Sequence, residues 1–195
     1  AGDSAGGLVG HMPSGPGVIS DEQIAGIARQ IPPGVASFLL TSETAAPAIV
    51  GHLQGVHTST VQLVDAVAPE SYGIIRAAMP HLKIVQVIHV LDERSVEEAL
   101  AAAEWVDALL LDSGNPNLEI KELGGTGRTH DWRLSRKICE QAPVPVFLAG
   151  GLNPENVRMA IEAVEPFGLD ICSGVRTNGK LDTNKLERFF AAAGY

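Results

Sequence analysis

Apolar, β-branched runs recur along the chain at nearly even intervals, with helix-periodic stretches between them. The runs are Gly7–Val9, Val35–Leu40, Val61–Val64, Ile84–Val90, Val106–Leu111, Val144–Leu148 and Leu169–Ile171, most beginning about 24 residues after the one before. That interval is the length of one strand, one helix and their loops. The stretches between carry apolar residues at spacings of three and four: Ile24, Ile27, Ala28 and Ile31; Val96, Ala99, Leu100 and Ala103; Val157, Ala160, Ile161 and Val164; Leu186, Phe189, Phe190 and Ala193. Ser20 with Gln23 makes a capping box. Asn153, Pro154 and Glu155 put a cap, a first-turn proline and a carboxylate at another helix start. Strands buried on both faces and alternating with helices mean a parallel α/β sheet. The even spacing and the chemistry after the last two runs favour a (β/α)8 barrel over a doubly wound open sheet. In that reading Gly7–Val9 is the second strand, and the first strand with its helix precedes Ala1. Seven strands would then leave a gap with two unpaired edges. The chain opens on Ala1 rather than methionine, which reads as a trimmed N-terminus or a start inside a larger protein.

Composition narrows the function. With 45% hydrophobic residues in 195, the chain holds enough apolar material for one core, and we expect a single domain over residues 1–195. Twenty-three acidic residues against 14 basic give a net charge of −9, which argues against nucleic acid or an anionic membrane as the main partner. Cys139 and Cys172 are isolated in sequence, so no disulfide framework or zinc site is readable, and a reducing cytoplasmic setting is expected. No apolar run approaches the roughly 20 residues of a spanning helix.

The chemistry gathers after the last three runs. Leu109-Leu110-Leu111 delivers Asp112 to a strand end, where burial would raise its pKa toward general-acid use; a loop-capping aspartate is an equally ordinary reading. Ala149-Gly150-Gly151-Leu152-Asn153 and Cys172-Ser173-Gly174-Val175 place glycines at two adjacent strand ends, where backbone amides can approach a phosphate. Each alone reads equally well as turn chemistry. Between them, Gly124-Gly125-Thr126-Gly127-Arg128-Thr129 forms a mobile flap or an anion nest, in which Arg128 could meet a carboxylate or phosphate. It is neither a Walker A motif nor a dinucleotide fingerprint. His11 sits at the end of the first run and is weighed as a rim base. His52, His57, His81 and His89 read as solvated or structural residues on helices or loops.

Four segments in order carry a specific resemblance: Leu110-Leu111-Asp112-Ser113, then Gly124 through Trp132, then Leu148 through Val157, then Asp170 through Val175. Together they resemble the second half of phosphoribosylanthranilate isomerase, with Val61-Gln62-Leu63 and Ser20-Asp21-Glu22-Gln23 similar to earlier parts of that family. The resemblance implies a barrel enzyme of tryptophan biosynthesis that performs an Amadori rearrangement on a phosphosugar, without metal or organic cofactor. It implies Asp112 as the general acid and Asp170 as an accessory carboxylate near the ribose. Gly125, Gly150, Gly151, Ser173 and Gly174 would hold the substrate, chiefly at its phosphate. The protein would be a monomer or homodimer.

The resemblance is incomplete at the other end of the substrate. Nothing matches the base cysteine of a Lys-x-Cys-Gly first strand. Gly15-Pro16-Gly17 stands where the family has Ser-Pro-Arg, so Gly17 replaces the arginine that meets the substrate carboxylate. Val64-Asp65 stands in place of His-Gly, and Arg176 stands where an acidic residue is common. The chain then reads either as a divergent working isomerase or as a barrel turned to another phosphosugar, with or without catalysis.

Overall fold

The computed structural model of the protein describes residues 4–13 and 17–194. Seven strands, β1 (Ala5–Val9), β2 (Ala36–Thr41), β3 (Thr60–Leu63), β4 (Lys83–His89), β5 (Ala108–Asp112), β6 (Val146–Leu148) and β7 (Gly168–Leu169), form one sheet. Their spatial order is their order in the chain, and every neighbouring pair is parallel. That order is the barrel's; a doubly wound sheet reverses direction partway. Each of the seven apolar runs became a strand. The sheet curls without closing, and the far edge of β1 is bridged at Val9 by Val18.

Residues of β3 and β5 are buried along their whole length, as a strand covered on both faces requires. Alternation sorts them into two clusters. Leu39, Val61, Leu63, Ile84, Ile88, Leu109, Leu111, Val146 and Leu148 face outward and join the helices in the main core. Val64, Val85, Val87, Ala108, Leu110 and Ala149, with Phe38, Leu40 and Phe147, form the inner cluster. Asp112 follows Ala108 and Leu110 at steps of two, so the strand's own periodicity turns its carboxylate inward.

The helices are α1 (Asp21–Ala28), α2 (Ala46–Val56), α3 (Pro69–Ala78), α4 (Arg94–Ala103), α5 (Trp132–Gln141), α6 (Val157–Val164) and α7 (Thr183–Ala193). The Ser20–Gln23 capping box forms in full at the start of α1. Regular α6 begins at Val157, three residues after the proline expected in its first turn. The Val157 amide nevertheless donates to Asn153 O, and Asn153 Oδ1 accepts from the Glu155 and Asn156 amides, so the cap does stand at Asn153. After β7 comes a single 3₁₀ turn (Ser173–Val175), then a two-stranded hairpin, β8 (Arg176–Thr177) and β9 (Lys180–Leu181). The hairpin turns on Asn178-Gly179, both at positive φ, the residue pair that such a two-residue turn favours.

Candidate active site

The C-terminal ends of the strands surround a cavity with about 780 Å³ of space, part of it open to solvent. Val9, Met12, Leu40, Val64 and Val87 supply an apolar wall on one side. Asp112, Asp170 and the loops after β5, β6 and β7 supply the polar side. Of the residues singled out in sequence, Asp112, Asp170, Gly125, Gly150, Gly151 and Ser173 all line this one cavity. Gly174 stands behind it: a Cβ there would fall 1.8 Å from Leu152 O, so its role in the geometry is to let the loops after β6 and β7 touch.

Asp112 is 6% exposed. Burial pushes its carboxyl up from the ordinary value, while the Ser113 amide and the neighbouring His89 pull it partway back. Asp170 opens on the cavity mouth, where water reaches it, yet protein surrounds it closely. Burial and the charge of Asp112 push it up to about 6. The ionised form of either carboxyl disfavours that of the other. Gly124 brings its backbone close above this pair, and a Cβ on it would lie 3.1 Å from Asp112 Oδ2.

The flap is pinned. Ser113 and Thr126 hydroxyls are 2.8 Å apart, Lys121 pairs with Asp65 at the end of β3, and Arg128 pairs with Glu122 within the loop. Arg128, weighed above as a ligand for an anion, thus has a carboxylate of its own. Gly150 and Gly151 have φ of 82° and 64°, where a glycine is favoured. A Cβ on Gly151 would meet the Arg128 carbonyl carbon at 2.5 Å, so this glycine also admits the flap. Asn153 and Asn156 both donate side-chain bonds to Gly151 O, which fixes the turn.

The histidines sort differently from the sequence reading. His11 is exposed and does not line the cavity; its carbonyl accepts from the Ser42 hydroxyl. His52 lies on α2 between Thr41 and Asp21. His89 is the correction: it ends β4, in register with Asp112, and is 8% exposed. Its Nε2 lies 3.0 Å from Val64 O and so carries the proton, and its buried Nδ1 has no partner among the described residues. The apolar run Ile84–Val90 contained it, and the inward step from Val85 and Val87 could have flagged it. Cys172 lines the cavity with its thiol pushed up by burial, which disfavours the thiolate. Of the Gly15-Pro16-Gly17 stretch, Gly15 and Pro16 lie outside the described residues. Among the described residues, no helix is long and apolar enough to cross a membrane.

Comparison with known proteins bears on what such a cavity serves. A family model described as N-(5'phosphoribosyl)anthranilate (PRA) isomerase matches residues 15–192. The N-(5'-phosphoribosyl)anthranilate isomerase of Methanocella arvoryzae is 33% identical over 190 residues, covering 97% of this chain and 87% of that protein. The phosphoribosyl anthranilate isomerase structure from Thermotoga maritima superposes with a TM-score of 0.80 at 31% identity, over 97% of this chain and 87% of that one. A structure of a phosphoribosyl anthranilate isomerase in complex with reduced 1-(o-carboxyphenylamino)-1-deoxyribulose 5-phosphate gives a TM-score of 0.77 at 29% identity, over 97% of this chain and 87% of that one. Strand order, the inward Asp112, the paired glycine turns and these similarities agree, and the chain belongs to the N-(5'-phosphoribosyl)anthranilate isomerase family.

Proposed function

We propose that the protein converts N-(5-phosphoribosyl)anthranilate to 1-(o-carboxyphenylamino)-1-deoxyribulose 5-phosphate, an aldose–ketose type isomerisation in tryptophan biosynthesis. The observation that carries the reading is Asp112, buried at the inner end of β5 with its acidity suppressed, in a cavity flanked by two glycine turns. In its protonated form Asp112 gives its proton to the ribose ring oxygen as the C1′–O bond breaks and the anilino nitrogen supplies the electron pair. Loss of the C2′ proton to a base then gives an enol, which tautomerises to the amino-ketose. Asp170 stands beside the sugar, and burial disfavours the ionised form of Asp112. The phosphate takes backbone amides at Gly125, Gly150 and Gly151 and the Ser173 hydroxyl, with Gly174 fixing the spacing of the two loops. Residues 1–195 act as one barrel domain in the cytoplasm, as a monomer or homodimer. The relatives carry the isomerase's name, which leaves the alternative of a divergent barrel for another phosphosugar, with or without catalysis, without support.

The test is Asp112→Asn in the full-length protein. Turnover should fall roughly 10²–10⁴-fold while phosphosugar affinity is kept. The same variant should fail to restore growth to a tryptophan auxotroph that the wild type rescues. An unchanged rate removes Asp112 from the mechanism.

A further inference from the structure

The substrate of the proposed reaction carries two anionic groups, a phosphate and a carboxylate on an aromatic ring. Among the described residues the cavity lining holds two carboxylates, Asp112 and Asp170, and no lysine or arginine. The phosphate has the glycine amides. The aromatic carboxylate, set against the apolar wall of Val9, Met12 and Leu40, meets only the neutral amide of Gln62 and no cation there. An anion in a cavity already bearing two acidic groups needs a cation close by.

We infer that Arg176 supplies that cation and makes the protein selective for a carboxylated substrate; the inference rests on the isomerase reading. Arg176 opens β8, three residues after the cavity residue Ser173. Its Nη1 donates to Gly179 O at 3.2 Å, within its own hairpin, and among the described residues no carboxylate pairs with it. The two cations of the flap are engaged, Arg128 with Glu122 and Lys121 with Asp65. Gly17 locates the guanidinium. A Cβ built on Gly17 would lie 3.9 Å from Nη2 of Arg176 and 3.8 Å from Cγ2 of Val9, a cavity residue. Nη2 and Val9 therefore flank one point on the rim, both within van der Waals reach of the Cβ that Gly17 lacks. The positive charge also reaches inward, since it offsets part of the burial effect on the Cys172 thiol. A guanidinium there can meet a carboxylate through two parallel N–H bonds, which an ammonium cannot reproduce. The arginine missing at Gly17 is thus replaced in space by one reaching in from β8.

The experiment uses full-length wild type, Arg176→Gln and Arg176→Lys. Three probes are titrated by calorimetry: reduced 1-(o-carboxyphenylamino)-1-deoxyribulose 5-phosphate, its phenylamino counterpart without the carboxyl, and inorganic phosphate. Arg176→Gln should lose about 10- to 100-fold in affinity for the carboxylated probe and raise KM alike, with kcat little changed. Affinities for the other two probes should hold, and Arg176→Lys should recover part of the loss. Equal losses for both sugar probes, or a loss for phosphate, would make Arg176 a phosphate ligand and overturn the inference. An unchanged preference for the carboxylated probe overturns it too. A wild type without turnover overturns the isomerase reading itself, a result that the Arg176 variants do not produce.

Discussion

Asp170 shows how one residue couples the site to stability. Its carboxyl titrates at about 6 in the folded protein against an ordinary 3.8, so the folded state binds this proton more tightly than the unfolded chain. The stabilisation from that proton is complete below the ordinary value and is lost as pH rises through about 6. Asp170→Asn should therefore raise the melting temperature over wild type at pH 8 and leave it nearly unchanged at pH 4, the size being limited by the water that reaches the group. Scanning calorimetry at the two pH values checks this, and an equal offset at both would contradict it. Asp112 and Asp170 were legible in sequence because strand-end carboxylates after apolar runs are aimed by the strand. His89 was not singled out, although it shares the run and the inward parity of Val85 and Val87. Its contact with Val64 O is set by a neighbouring strand, which no local pattern encodes.

At the scale of elements, the glycine turns do more than make room for an anion. Gly151→Val would block the phosphate, and it would do more than that. The structure puts the backbone of Arg128 and Thr129 where that side chain would go, so flap and fold would both be disturbed. Gly174 is the cleaner probe of the contact between loops. Gly174→Ala drives a methyl into Leu152 O, and backbone cannot yield as a flexible side chain would. A loss of about 1–3 kcal/mol is expected, or roughly 2–4 °C in melting temperature for each kcal/mol, together with weaker phosphosugar binding. Unchanged melting would mean that the two loops separate freely. Helix starts were readable from Ser20, Gln23 and Asn153 because caps are local. The hairpin at Asn178-Gly179 was equally local and was passed over because β8 and β9 lie outside the βα repeat.

For the whole molecule, a net charge of −9 sets a field that repels a phosphorylated substrate, against local donors at Gly150, Gly151 and Ser173. Salt screens the distant repulsion, over about 10 Å at 0.1 M, more than it weakens donors in contact. Affinity for ribose 5-phosphate should hold or rise as a non-competing salt is added, and calorimetry across that range would reveal the opposite as a steady decline. The barrel order was legible because its repeat is written into the spacing of the apolar runs. The pinning of the flap to β3 was not, since Lys121 and Asp65 are far apart in sequence. That same ordering of strands has a consequence for biogenesis. Space repeats the order of synthesis, so a nascent chain leaving the ribosome can lay each βα unit on the one just finished, without waiting for distant partners. Asp112 is in place on β5 while Asp170 and Ser173 are still to come, so the cavity is completed only after the sheet, with the hairpin and α7 left to follow.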